Sequence, residues 1–403
     1  MSPRSGAAVS TAVGSREAVP DRVLLVVNGV QKFFTHRGGL ALGLRDRGWE
    51  VEMVVPDDED DSVIREAGIP THSVPLVRSS MSPVTESKTV LALSKLYRER
   101  APILVHHFTP KPVIYGGIAA RLADVPGVVS SIAGLEYPFI SDSVQARTLR
   151  ALAALGYRLA LSGDGSRVIF ENASDRDEFV ERGLAERSIS RVIVGAGVDV
   201  TKFRPPSEER EPVRVLLAAR MLRQKGVVEF VEAARRLRSE GSDALFLLVG
   251  DSDPTNPTSI ETEQLRAWGG EEGIEWLGRL PHGRMPGLMR SVDVVCLPSY
   301  REGAAKVLLE AAASGRAIVT TDAPGCREAV EPGESGLLVP PRDPDALADA
   351  LGRLVRDPDL RRRMGRRGRE LAVERFSIQV VVEKTAEIYR DLAGEVRSRA
   401  TGG

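Results

Sequence analysis

The sequence predicts an α/β protein of two doubly wound parallel-sheet units facing each other across a cleft. Three observations carry this expectation. Short apolar runs with no polar face alternate with helical periods, as strands buried on both sides of a parallel sheet require. The alternation breaks once, at the proline- and charge-rich "TKFRPPSEEREP", and then restarts. The chain has 403 residues, too many for one compact core and enough for two domains of about 150 to 200 residues.

Taken in order, residues 1–20 are small and polar without an apolar leader core and read as a disordered tail. Residues 21–199 form the first unit. Its strand-like runs are "DRVLLVVN", "WEVEMVVP", "PILVHH", "PGVVSSI", "SRVIFEN" and "ISRVIVG", and helical periods such as "TVLALSKLYRER" and "ARTLRALAALGYRLAL" separate most of them. Residues 200–212 read as a linker. The second unit, 213–375, runs through "VRVLLAAR", "KGVVEFVEAARRLRSEG", "ALFLLVG", "GIEWLG", "VDVVCLPS", "RAIVTT" and "SGLLVP". A closing helix over 376–393 is expected to pack back toward the first unit, with 394–403 as a tail. The basic run "RRRMGRRGRE", Arg361 to Glu370, reads as a solvated helix face, with an anionic-lipid patch as the alternative.

Composition narrows the function. Hydrophobic residues make up 42% and charged residues 28%, as in a globular protein, and a net charge of −1 argues against nucleic acid as a partner. Cys296 and Cys326 offer neither a disulfide framework nor metal-ligand spacing, which fits a reduced cytoplasmic setting. No window of about 18 apolar residues is present, so no span is expected, and peripheral contact with the inner membrane face stays open.

The chemistry concentrates in "SYREGAAKVLLEAAASG", Ser299 to Gly315. It places Glu302 and Glu310 eight residues apart around a glycine-led helix start. Unpaired N–H groups and a partial positive charge at a helix N-terminus suit a phosphate. Gly303, Ala304 and Ala305 are small enough for close backbone approach. Glu302 would lie outside the helix and Glu310 about 12 Å along it, each able to accept from hydroxyls. A nucleotide-diphospho-sugar has that shape. Arg220 and Lys225, in "AARMLRQKGVVEF", stand at a strand end and helix start with no acid nearby in sequence, and could neutralise a diphosphate. The bland alternative makes both glutamates solvated.

These segments resemble a known family. "GVDVTKFRP", "AARMLRQKGVVEF", "LPSYREGAAKVLLEAAASGRAIVTTDAPGCREAV" and "SGLLVPPRD" are similar to signatures of glycosyltransferase family 4, retaining enzymes of the GT-B fold. "KFFTHRGGLALGL", "HHFTPKPVIYGGIAARLADVPGVVSSIAGLEYPF" and "VIFENASDRDEF" resemble a bacterial subgroup including N-acetylgalactosaminyltransferases that act on undecaprenyl-diphosphate-linked sugars. The resemblance implies that Glu302 contacts the donor sugar, Glu310 the ribose, and Arg220 and Lys225 the diphosphate. Glu302, Arg220 and Lys225 are then the catalytic candidates, while Gly303, Ala304, Ala305 and Lys306 complete the donor site. It further implies retention by same-face substitution, a UDP-linked hexose or N-acetylhexosamine as donor, and a glycan or polyprenyl-diphosphate-linked sugar as acceptor. Acceptor-side candidates are His36, Arg37, His106, His107 and Lys111, near predicted strand ends. Two departures stand out: Gln31-Lys32 replaces a double glycine, and Ala133 stands where many members have a histidine.

No metal and no cofactor are expected. Asp251-Ser252-Asp253 spells D-x-D, but at a strand end it reads as loop capping, and "PDDEDD" reads as a solvated loop. Two rivals remain open. A nucleotide-sugar epimerase can share the two-lobed architecture. A non-catalytic two-lobed binding protein is the other, and exported receptors of that type would need a leader that this N-terminus lacks.

Overall fold

The computed structural model describes residues 21–31, 33–77, 82–134, 144–206 and 211–401. The tail expected over 1–20, Lys32, the "LEYPF" part of one motif and residues 207–210 of the linker lie outside the described residues.

The first domain runs β1 (Arg22–Val26), α1 (Gly38–Arg45), β2 (Glu50–Pro56), α2 (Ser62–Glu66), β3 (Thr71–Val74), α3 (Pro83–Arg100), β4 (Leu104–Phe108), α4 (Gly117–Leu122), β5 (Gly127–Ile132), α5 (Val144–Leu161), β6 (Ser166–Phe170), α6 (Ala173–Glu181) and β7 (Ser190–Val192). All strand pairs are parallel, in the order β3-β2-β1-β4-β5-β6-β7. Successive residues of β1 feed opposite layers. Val23 and Leu25 pack under α1, whereas Leu24 and Val26 pack under α3 and α4. All four are fully buried, so the strand has no wet face. β3 was not among the expected strands, because "THSV" is short, polar and half-exposed at the sheet edge.

The second domain runs β8 (Arg214–Ala218), α7 (Val227–Ser239), β9 (Leu245–Val249), α8 (Thr262–Gly269), β10 (Ile274–Trp276), α9 (Met285–Arg290), β11 (Val294–Leu297), α10 (Lys306–Ala313), β12 (Ala317–Thr321), β13 (Gly336–Val339), α11 (Pro344–Arg356) and α12 (Pro358–Leu371). Its parallel sheet has the order β10-β9-β8-β11-β12-β13. Asp343 and Asp357 cap α11 and α12 by accepting from the amides of Ala346 and Leu360, each ahead of an N-terminal proline. The order reverses between β1 and β4 and between β8 and β11, so each sheet has its switch point there. In the first domain both crossovers at that point open with a five-residue π-helical turn, Phe33–Arg37 and Pro112–Gly116.

Three expectations are corrected. Part of the stretch read as linker is core: Phe203 is buried in the second domain, and Arg369 donates to its carbonyl and to that of Val200. Residues 394–401 are not a tail but continue α13 (Ile378–Thr401). That helix packs on the first domain through Val381, Val382, Ala386, Tyr389 and Leu392. The arginine run is only partly a solvated face, since α12 buries Met364, Gly365, Gly368 and Leu371. Arg361 and Arg369 bind backbone carbonyls there, and Arg367 pairs with Glu331.

Candidate functional site

The donor-side candidates converge at the carboxyl ends of β8 and β11. The chain leaves β8 through Arg220 and a tight turn, Arg223–Lys225, closed by Gly226 at φ +73°. A Cβ on Gly226 would stand 2.2 Å from the Pro298 carbonyl oxygen, so only glycine lets this turn seat against β11's exit. The two loops are stitched: Tyr300 N (3.0 Å) and Ser299 Oγ (3.1 Å) both donate to the Gln224 carbonyl. Lys225 is thereby delivered to Glu302, and the two half-buried side chains form an ion pair. Arg220, 62% exposed, reaches Asp253 Oδ2 at 3.3 Å. Both basic residues therefore have acids, supplied from distant sequence.

Glu302 to Ala305 is not helical. Glu302 N donates to Pro324 O (2.9 Å) and Ala305 N to Gly325 O (3.0 Å), and α10 starts only at Lys306. A helical rise between Glu302 and Glu310 thus holds for the last four residues alone. Glu310 is buried, with Lys306 Nζ 3.3 Å and His282 Nε2 4.0 Å from its Oε1. The Lys306 contact is at ion-pair distance, and among the described residues no donor is aligned for a hydrogen bond to Oε1. Burial pushes the Glu310 carboxyl up and the Lys306 ammonium down, each opposed by the other's charge. His282 is held low by burial and by Lys306 and Lys202.

Gly303 serves a different approach from the one expected. A Cβ there would lie 2.6 Å from the Ala133 carbonyl carbon, so the bare backbone admits the first domain's Ala133-Gly134 segment. The same seam is locked by side chains missed in the sequence. Asn172, capping α6, donates to Gly303 O at 2.8 Å, and Arg301 pairs with buried Asp175 and with Glu178 (2.9 Å). The available signal was an asparagine three residues before an acid at a helix start.

Two adjoining cavities follow. One, of about 610 Å³, is lined by His36, Arg37, Lys111, Ala133, Glu171 and Ala304 among others. The other, of about 690 Å³, holds Lys225, Asp251, Asp253, His282, Ala305 and Glu310. His36, Arg220, Glu302 and Lys306 border both, so the cavities meet there. Arg37 is buried, 3.7 Å from Glu171 and with its guanidinium 4.2 Å over the Phe108 ring. Lys111 bridges Glu86 (2.7 Å) and the Val77 carbonyl (2.8 Å).

His106 and His107 are corrected as acceptor residues. On β4 they point to opposite faces, and both faces are covered. His106 lies between Tyr389 Oη (2.6 Å) and Ser131 Oγ (2.7 Å), and His107 Nε2 meets Tyr97 Oη at 3.0 Å. Burial lowers both, His107 to about 3. A histidine lowered in the folded state takes up its proton first on unfolding, so stability falls as pH drops below about 6.5 and continues to fall until about 3. His107→Gln, which keeps a partner for Tyr97, is expected to retain about 1.4 kcal/mol more of its neutral-pH stability at about pH 5.5 than the parent chain does. Urea unfolding at the two pH values reads this, and equal losses would assign the acid sensitivity elsewhere.

Two facing doubly wound domains with a bipartite cleft at their switch points make up the GT-B architecture, which other nucleotide-sugar enzymes can share with glycosyltransferases. Comparison with known proteins agrees. Residues 199–371 match the model for glycosyl transferases group 1, and residues 22–170 the model for glycosyl transferase 4-like domains. Over 360 residues the chain is 28% identical to the N,N'-diacetylbacillosaminyl-diphospho-undecaprenol alpha-1,3-N-acetylgalactosaminyltransferase of Campylobacter jejuni, covering 86% of this chain and 92% of that one. Alpha-maltose-1-phosphate synthase of Mycobacterium tuberculosis is 29% identical, over 72% and 79%. Among solved structures, Anabaena HepE in complex with UDP-glucose superposes with TM-score 0.72 at 19% identity, covering 92% of this chain and all of that one. A Rickettsia africae glycosyltransferase gives 0.74 at 17%, over 93% and 98%. The protein belongs to glycosyltransferase family 4.

Proposed function

We propose that the protein transfers a hexose or N-acetylhexosamine, with retention, from a UDP-sugar to a polyprenyl-diphosphate-linked sugar. The observation carrying this reading is the meeting of two cavities at Arg220, Glu302, Lys306 and His36, one cavity per substrate. The donor occupies the larger cavity. Its diphosphate lies against Arg220, Lys225 and the start of α10, Glu302 accepts from sugar hydroxyls, and Glu310 accepts from the ribose through an oxygen without an aligned donor. The bond from the anomeric carbon to the phosphate oxygen breaks as the acceptor oxygen attacks the same face, and the departing phosphate takes the acceptor's proton. Positive charge around the diphosphate lowers the barrier as negative charge builds on the leaving group.

The acceptor lies in the smaller cavity, its diphosphate toward Lys111 and Arg37. The relative from Campylobacter is named for an undecaprenol-diphosphate-linked acceptor, which supports this class. Asp253 is tied to Arg220 and Thr255, which supports a cation-balanced rather than a metal-bound D-x-D segment. Nucleotide sugars screened by thermal shift identify the donor, since a ligand bound by the native state raises its melting temperature. Product analysis then reads the linkage: a retained anomer formed in the presence of EDTA is expected, and an isomerised free nucleotide sugar would overturn the reading in favour of an epimerase. Lys111→Ala is expected to raise the acceptor KM with kcat little changed, and an unaltered KM would remove Lys111 from the acceptor site.

A further inference from the structure

Among the described residues nine large apolar side chains are exposed; six of them belong to one helical layer of the first domain, and a seventh, Val77, lies in the loop before it. That layer is α3, α4 and α5, which lie side by side over one face of the sheet. On α3, Val84 and Leu91 are each 66% exposed. Lys88 and Lys95 fall within the same strip, because steps of four, three and four residues at 100° keep all four side chains inside about 60°. On α5, Leu152, Leu155 and Leu159 form a second strip by the same spacing, 64%, 55% and 48% exposed. Leu122 and exposed Arg121 on α4 stand between the two helices. Arg98 continues the α3 strip toward Leu122, whose carbonyl accepts from its guanidinium.

The inward faces of these helices are already satisfied. Leu93, Tyr97, Ala119, Ala120, Tyr157 and Leu161 make the buried packing. The outward leucines and valines therefore contribute nothing to this domain's core, and water contact with them is unfavourable. Cations interleaved with apolar side chains on a shallow helical layer match a surface that is itself anionic outside and apolar just beneath. A second copy of this chain or a protein partner would gain nothing from four such cations unless it were acidic. No helix among the described residues is long and apolar enough to cross a membrane.

The layer also reaches the cleft. Lys111, which lines the smaller cavity, binds the carbonyl of Val77, in the loop before α3, and Glu86 in the first turn of α3. We infer that the α3–α4–α5 layer docks on an anionic lipid bilayer, with the smaller cavity opening at the edge of the contact. This rests on the proposed polyprenyl-linked acceptor, to which it adds the surface that brings enzyme and lipid together.

The test is partition of the full-length protein onto vesicles of phosphatidylethanolamine with phosphatidylglycerol, read without donor or acceptor, against phosphatidylcholine vesicles. Binding to the anionic vesicles that weakens with salt is expected. Lys88→Gln with Lys95→Gln should lower the partition coefficient about twenty-fivefold, at about fivefold per cation. Leu152→Glu with Leu155→Glu should lower it about tenfold or more. Turnover of a detergent-dispersed short-chain acceptor should be the same in both variants as in the parent. Failure of the parent to bind, or equal binding by the variants, overturns the inference. So does loss of a dimer in the leucine variant, which would assign the layer to self-association. Because partition is measured without substrates, it can fail while transfer to a polyprenyl acceptor stands, and the acceptor assignment can fail while docking stands.

Discussion

Lys225→Ala is expected to slow sugar transfer about 10²- to 10³-fold, the usual cost of losing one pre-aligned charge donor at a developing anion. The position explains why. The Gly226 turn and the Gln224 carbonyl hold Lys225 against the β11 loop, so its ammonium does not have to be ordered when the diphosphate leaves. Its side chain is only 17% exposed, so water screens it little. Arg220→Ala should fall toward the lower end of that range, because its side chain is 62% exposed and already shared with Asp253. Single-turnover rates with saturating donor separate chemistry from binding. Normal turnover by both variants would remove the diphosphate from this corner and with it the whole assignment of donor roles.

Arg301→Ala is expected to destabilise the protein by about 3 to 5 kcal/mol at mildly alkaline pH, because it strands the buried Asp175 carboxylate. Burial already pushes the Asp175 carboxyl up, with Arg301 and Asn172 opposing that rise. For a carboxyl raised on folding, the stabilising proton linkage is complete below the unfolded value and is lost as pH climbs through the folded value. Removing Arg301 lifts the folded value further and widens that window upward. The loss should therefore grow from pH 6 to pH 8, and Asp175→Asn in the same background should recover part of it. Urea unfolding of the single and double variants at both pH values measures this. A pH-independent loss would mean that the pair is not what holds the seam. Since Glu302 is the next residue, kcat should fall in parallel.

Much of this molecule was legible along the chain. Apolar runs without a wet face announced parallel sheets, since a strand such as "RVLLV" can be soluble only when helices cover both sides. The restart after residue 212 announced the second unit, and the cluster from Ser299 to Gly315 announced a strand-to-helix turn. These are local properties: periodicity, turn chemistry and helix-end electrostatics are set by residues within a few positions of each other. β3 escaped because an edge strand needs only one buried side chain in four, which leaves almost no pattern.

What only the tertiary structure decided lies in pairings across long sequence separations. Lys225 meets Glu302 across 77 positions, Arg220 meets Asp253 across 33 and Arg301 meets Asp175 across 126, and nothing in the local pattern selects those partners. His106 and His107 carry the same warning: a strand-end histidine pair suggests a ligand site until both sheet faces prove to be covered, one by a helix from the far end of the chain. Sequence by itself determined which elements form and where charge and bare backbone collect, because those follow from short-range sterics and solvation. Folding decided which charges face each other and which face the cleft, because Coulomb and desolvation energies depend on distances that only the packed chain sets.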